Sequence, residues 1–245
     1  MRCKSPMRLT ITVNEREAVS GLLLAPEHPL ACIVLAHGAG AGMAHPFMAA
    51  VAEGLCERGI ATLRYQFPYM EKGVRRPDSP PLAQATVRAA VAKAQARLPS
   101  VPLFAGGKSF GGRMTSQAQA ASPLPDVLGL AFLGFPLHPA GKPSATRAEH
   151  LSRIKVPMLF VQGTRDALAD TALIQQLATG LGRQMSLKMI AEADHSFHVP
   201  MRTGRVDAEV RTEFLEVLAA WMNQVVTAQV ARHRIIELDS ENREP

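Results

Sequence analysis

A serine set among glycines, an aspartate after it and a histidine later still are the residues of this 245-residue chain best suited to covalent chemistry. Residues 106–112 read Gly-Gly-Lys-Ser-Phe-Gly-Gly and contain the pattern G-x-S-x-G centred on Ser109. A serine hydroxyl attacks a carbonyl only when a base takes its proton, and the base must be held by a third group. The pattern is common in isolation. Its setting is not: the apolar run 101–105 precedes it and a helical stretch, 109–121, follows, as a sharp strand-turn-helix needs. The glycines permit that turn, Ser109 should take a strained backbone conformation, and the Phe110 amide would stand at a helix N-terminus, able to donate to an oxyanion. A helix-capping serine in a glycine-rich loop is the plain alternative. A phosphate loop fails on spacing, because Pro102 stands where its first glycine is required.

The order expected after such a serine is carboxylate, then histidine. His195 follows the apolar run 185–190 in Ala-Asp-His-Ser-Phe, and Asp166 follows the run 158–161 through Gln-Gly-Thr-Arg. His198 is the rival base, and Asp170, about one helical turn on, the rival carboxylate. The small residues of His37-Gly38-Ala39-Gly40, after the run 31–36, let backbone amides face a developing oxyanion; the Ala39 amide is the candidate. His37 supports that loop rather than acting chemically.

Positioning these residues requires a fold that brings loop after loop to one edge. Residues 8–13 and 20–24 read as two antiparallel strands. Short apolar runs at 31–36, 60–65, 101–105, 127–133, 158–161 and 185–190 then alternate with helical stretches at 47–58, 82–98, 109–121, 168–181 and 207 to about 230, plus a short helix at 147–153. Such alternation implies a mostly parallel central sheet with helices on both faces, an α/β fold whose site lies at the carboxyl ends of the strands. Each candidate lies just past such an end. The chain reads as one domain over residues 1–231 and a charged tail, expected to fray, over 232–245.

Composition narrows the classes further. Hydrophobic residues make up 47% of the chain but aromatics only 5%, so the core must be built mainly from Ala, Leu, Val and Ile. The net charge of +6 is spread out; its densest basic stretch, 72–76, has only Arg75 and Arg76 adjacent, too little for a nucleic-acid surface. No apolar run approaches the roughly 20 residues of a membrane span, and no signal-peptide core follows the N-terminal basic residues, so a cytoplasmic location is the default expectation. Three cysteines without CxxC spacing argue against a disulfide framework or a zinc site, and Cys32 reads as core. No metal or organic cofactor is called for.

Six segments together resemble the α/β-hydrolase superfamily along nearly the whole chain: 35–40 (Leu-Ala-His-Gly-Ala-Gly), 64–69 (Arg-Tyr-Gln-Phe-Pro-Tyr), 107–113 (Gly-Lys-Ser-Phe-Gly-Gly-Arg), 134–139 (Gly-Phe-Pro-Leu-His-Pro), 162–166 (Gln-Gly-Thr-Arg-Asp) and 193–197. The resemblance is to the dienelactone-hydrolase-like branch, and more narrowly to bacterial relatives of the testis-expressed hydrolase-like proteins and of a subunit of the NSL complex. Dienelactone hydrolases proper carry a cysteine nucleophile, so that substrate does not transfer to Ser109. The resemblance implies an esterase-like serine hydrolase of small esters or thioesters. Ser109, Asp166 and His195 would form its triad, and the Ala39 and Phe110 amides its oxyanion hole. His37, Phe67, Tyr69, Phe135 and His138 are the expected pocket residues. The stretch where this fold usually carries a lid, between 133 and 158, is short, so an open pocket is expected. A hydrolase-fold binding or scaffold protein, and a peptidase or acyltransferase using the same triad, are the competing readings.

Overall fold

The computed structural model describes Cys3 and residues 5–241. Eight strands form one sheet in the order β1-β2-β4-β3-β5-β6-β7-β8. The strands are β1 (Met7–Thr12), β2 (Ala18–Leu24), β3 (Ala31–Ala36), β4 (Ile60–Tyr65), β5 (Leu103–Lys108), β6 (Val127–Leu133), β7 (Met158–Gly163) and β8 (Met185–Ile190). The hairpin β1–β2 is antiparallel, as is the β2–β4 pairing; every pairing from β4 to β8 is parallel. The helices are α1 (Pro46–Glu57), α2 (Pro68–Glu71), α3 (Pro80–Arg97), α4 (Phe110–Ala121), α5 (Thr171–Leu181) and α6 (Asp207–Glu241).

Strand β3 shows why both faces must be covered. All six of its residues are buried: Cys32, Val34 and Ala36 pack into one core with Val87, Ala90, Met114 and Ile174, while Ala31, Ile33 and Leu35 pack into the other with Val51, Leu55, Phe214 and Leu218. An apolar run with no polar alternation therefore fits a strand sandwiched between α3, α4 and α5 on one side and α1 and α6 on the other. The scarcity of aromatics is offset by clustering, for Phe132 meets Phe135 and Phe160 edge-on and those two pack tilted, with centroids 4.8–5.4 Å apart.

Three expectations are corrected. Strands β5 and β7 do not stop at Ala105 and Val161 but run on through Lys108 and Gly163. Gly106 stays in the ladder beside Ala131, whose carbonyl oxygen would lie 1.9 Å from any added Cβ, so only glycine lets the two backbones pair there. Helix α6 continues to Glu241, past 230, because no glycine or proline interrupts the chain before Pro245. The cysteines are not all unpaired: Cys3 is joined to Cys56 across 53 residues, their Cα atoms 6.1 Å apart. Sequence spacing cannot show a bridge whose two halves are brought together only when α1 packs beside the start of the chain. Cys32 is the core residue expected, its thiol pushed up to about 12 by burial.

The β6–β7 connection holds a 3-10 turn, Thr146–Arg153, that buries Ala148 and Leu151 and hydrogen-bonds His150 Nε2 to Ser116 Oγ on α4 at 2.8 Å. It is docked on α4, and none of its residues lines the cavity beside Ser109. Among the described residues no helix is long and apolar enough to cross a membrane.

Candidate active site

Ser109 occupies the single residue between β5 and α4, with φ 51° and ψ −115°. That is a strained conformation for a residue with a Cβ. The flanking glycines make the turn possible: a Cβ on Gly107 would lie 2.6 Å from the Ala36 carbonyl oxygen and one on Gly111 would lie 2.5 Å from that of His37. The serine is thereby lifted clear of the sheet edge, and Phe110, first residue of α4, offers an amide that precedes the helix's own hydrogen-bond ladder.

His195 reaches this serine from the loop after β8. Its Nε2 lies 2.9 Å from Ser109 Oγ and its Nδ1 lies 2.7 Å from Asp166 Oδ2. The Asp166 side chain is fully buried, whereas the imidazole keeps a quarter of its surface open. An ionised carboxylate only accepts, so Nδ1–H donates to Asp166 and the Nε2 lone pair faces the serine hydroxyl. Asp166 also accepts from the Leu168 amide at 2.8 Å and from Gln162 Nε2, and Gln162 Oε1 in turn accepts from the Phe135 amide at 2.9 Å. The rivals serve elsewhere. Asp170 caps α5 by accepting from the Leu173 amide at 3.0 Å, and the exposed His198 pairs with Asp207 at 2.9 Å.

The loop after β3 passes directly over the serine, with the position of a Gly38 Cβ 3.7 Å from that of Ser109. The Arg-Tyr-Gln-Phe-Pro-Tyr segment after β4 pins this loop. Arg64 Nη1 donates to the Met43 carbonyl at 3.0 Å, Gln66 Oε1 accepts from the Met43 amide at 2.9 Å, and the Tyr69 hydroxyl accepts from the Gly40 amide at 3.0 Å. The Phe67 amide donates to His37 Nε2 at 3.1 Å, so His37 Nδ1–H donates to the Gly38 carbonyl, 2.8 Å away. Burial holds His37 neutral, pushing it down to about 4 against the pull of that carbonyl.

A cavity of about 380 Å³ opens beside Ser109 and His195, lined by Gly38, Ala39, His45, Phe47, Met48, Lys108 and Leu168 among others. This corrects the expected pocket walls. His37, Phe67, Tyr69, Phe135 and His138 are all buried at 3% exposure or less and lie behind the loops rather than in the cavity. Phe67 and Tyr69 back the Phe110 ring, Phe135 joins the phenylalanine cluster, and His138 accepts from the Asp170 amide at 2.9 Å to brace the aspartate's loop. Position in the strand order told which loops meet, but not which side of each loop faces inward. The true walls, Phe47 and Met48, belong to the start of α1. Its amphipathic pattern marks them as core, and only the three-dimensional path of the preceding loop turns them toward the serine. Gln162 and Lys108, also unforeseen, lie next to recognised motif residues.

Over residues 29–223 the chain matches the family described as the alpha/beta hydrolase domain. It belongs to that family. Solved structures agree in fold. A dienelactone hydrolase from Anabaena variabilis superposes with a TM-score of 0.70 at 19% identity, covering 90% of this chain and 99% of that one. An alpha-beta serine hydrolase homologue from Coxiella burnetii gives 0.69 at 18% identity over 86% and 96% of the two chains. A Xanthomonas campestris protein described as an a/b serine hydrolase without lid gives 0.67 at 20% identity over 89% and 95%. At such identities the likeness is one of fold.

Proposed function

We propose that this alpha/beta hydrolase is a carboxylesterase-like serine hydrolase of small esters or thioesters. The observation that carries the reading is the unbroken chain from Asp166 through His195 to Ser109, at 2.7 and 2.9 Å, beside an open cavity. Ser109 Oγ attacks the substrate carbonyl carbon as His195 Nε2 takes its proton, and Asp166 stabilises the imidazolium. The Phe110 and Ala39 amides receive the oxyanion. The imidazolium then protonates the departing alcohol or thiol, leaving an acyl-serine. Water attacks the acyl carbon while His195 takes its proton, and the carboxylic acid leaves as Ser109 regains its hydrogen.

Cavity size and lining support a small acyl group. About 380 Å³ lies at the low end of ligand pockets, and Phe47, Met48 and Leu168 supply an apolar wall. We assign the chain to the dienelactone-hydrolase-like branch with serine in place of cysteine. Its relation to the testis-expressed hydrolase-like proteins and the NSL subunit rests on the six sequence segments alone. Reaction with a fluorophosphonate followed by peptide mass mapping tests the reading. The adduct is expected on Ser109, and hydrolysis of p-nitrophenyl esters is expected to fall as the acyl chain lengthens. An unlabelled Ser109 in protein that turns over esters would defeat the assignment.

A further inference from the structure

Lys108 is the last residue of β5 and stands immediately before the nucleophile. Side chains alternate along a strand, so Lys108 shares the face of Phe104, the side of the sheet covered by α1 and α6. Its stem passes Gly38 and lines the cavity, but its ammonium does not stay in the open. Nζ donates to the backbone carbonyl of His195 and lies 5.3 Å from the centre of the Phe197 ring and 6.0 Å from that of Phe47. The seat is close-fitting: a Cβ on Gly134, which also has φ 66°, would come within 2.7 Å of the nitrogen. The charged groups facing it are Asp166 from the loop after β7 and Asp194 from the loop after β8; His45 and His195 share the cavity. Taking an ammonium out of water costs free energy that a methionine of similar length would not incur, only partly offset by the nearby rings. What the cation alone supplies is a charge-assisted donor to the peptide that carries the base.

We propose that Lys108 is a positioning residue for the reaction, its ammonium clamping the His195 peptide while the adjoining Ser109 engages the same residue's ring. Residues 108 and 109 thus grip His195 at two points, its carbonyl oxygen and Nε2, from the end of one strand. The loop being clamped carries its own conformational cost, with Glu192 at φ 59° and Phe197 at φ 64°. An anchor at residue 195 therefore fixes the imidazole where the loop alone would let it drift.

The proposal rests on the serine-hydrolase reading and adds a pH signature to it. Burial pushes Lys108 down to about 8, opposed by Asp166 and Asp194. Loss of its proton removes the charge-assisted bond, so activity falls as pH rises past about 8. Tyr69 and Cys32 are both raised by burial and titrate above this window. Stability moves the opposite way. Between about 8 and the ordinary lysine value of 10.5 the unfolded chain holds a proton that the folded chain has released, so Lys108's contribution to stability rises with pH there. General alkaline unfolding would lower both together.

The test measures kcat, KM and melting temperature on p-nitrophenyl acetate from pH 6.5 to 10 for the wild type, Lys108→Met, Lys108→Arg and Ser109→Ala. Lys108→Met is expected to lose about tenfold or more in kcat at pH 7 with KM changed less than about threefold, to keep its melting temperature, and to lose the alkaline limb. Lys108→Arg, always charged, is expected to keep more of the rate than Lys108→Met and to shift the limb beyond pH 10. Wild-type kcat in Lys108→Met, or an alkaline limb still near pH 8 in either variant, overturns the proposal; the arginine variant decides alone if the methionine one does not fold. Wild-type hydrolysis by Ser109→Ala would instead overturn the serine-hydrolase reading itself.

Discussion

The loops on either side of Ser109 are held by different means. The loop after β3, which carries Gly38 and Ala39, is fastened from outside by the side chains of Arg64, Gln66 and Tyr69 and by its own His37. The loops after β7 and β8, which carry Asp166 and His195, are stitched to each other largely through backbone. The Arg165 amide donates to the Ala193 carbonyl at 2.9 Å and the Thr164 amide to the Ile190 carbonyl at 3.0 Å. Asp194 folds the histidine loop on itself, accepting from the Ser196 amide at 2.7 Å and the His198 amide at 3.0 Å. Backbone stitching tolerates substitution of neighbours, so on that side the side chains that should matter greatly are His195 and those that bond it directly. Side-chain fastening can be undone one bond at a time, so the other loop should yield in graded steps.

The largest expected effect leaves both fastenings intact. Ser109→Ala should lower turnover on the order of 10⁶-fold, with the residue provided by the oxyanion amides. Its melting temperature should hold or rise, because the hydroxyl sits at a strained turn and contributes little packing. Turnover and melting measured on one preparation check both halves. Parallel loss of both would mean that the serine holds the loops together, and the contrast drawn between them would fail.

Asp166→Asn attacks the stitched side at its functional side chain. Asp166 accepts from the Leu168 amide, Gln162 Nε2 and His195 Nδ1. Asparagine has one acceptor oxygen, so its amide must face a donor, and His195 is driven to the wrong tautomer. Turnover should fall on the order of 10⁴-fold. Replacing the neighbouring Arg165 with Ala, which leaves its backbone bond in place, should change turnover less than about twofold. A large loss there would show that side chains hold this region after all.

How far the sequence reveals these two regions follows the same division. The mostly parallel sheet and the meeting of Ser109, Asp166 and His195 were legible because buried parallel strands read as uninterrupted apolar runs, and because a site at their carboxyl ends constrains each candidate by position alone. Asp194 and Gln162 were opaque, since their partners are backbone groups or residues across a loop and leave no periodic trace. The segment 64–69 was visible as a motif but not in its purpose. Its aromatic residues suggest a pocket, yet Phe67 is fully buried and Tyr69 nearly so, both spent on the neighbouring loop. The disulfide was hidden for a like reason, Cys3 and Cys56 being joined by the fold and not by spacing.

The fastened loop should also announce itself in acid. His37 is held at about 4, below the ordinary histidine value of 6.5. Between those values the unfolded chain binds a proton that the folded chain refuses, so stability falls as pH drops from about 6.5 to about 4, by about 3 kcal/mol in all. His150 is lowered to about 4 by burial and by Arg153 and Arg113, and adds to the same slope; the exposed His198, raised by Asp207, opposes it. Urea unfolding from pH 7.5 to 4.5 should therefore show a slope that His150→Gln reduces and that His37→Gln with His150→Gln abolishes or reverses, leaving His198's opposite contribution. An unchanged slope in the double variant would remove His37 from the account of this loop.

A smaller loss of turnover isolates one fastening. Tyr69→Phe removes only the hydroxyl that accepts from the Gly40 amide, and leaves the ring packed edge-on to Phe110 at 6.4 Å. A single hydrogen bond of this kind contributes about 1 kcal/mol, so the melting temperature should fall by only a few degrees. Gly40 adjoins Ala39, whose amide would meet the oxyanion only after attack. Loosening that amide should therefore lower kcat, by about five- to tenfold, and leave KM within about twofold. Gln66→Ala, acting at Met43 further along the loop, should cost less in kcat than Tyr69→Phe while lowering stability by a similar amount. If the order is reversed, the loop is governed at Met43, near the start of α1, and its apex at Gly40 merely follows.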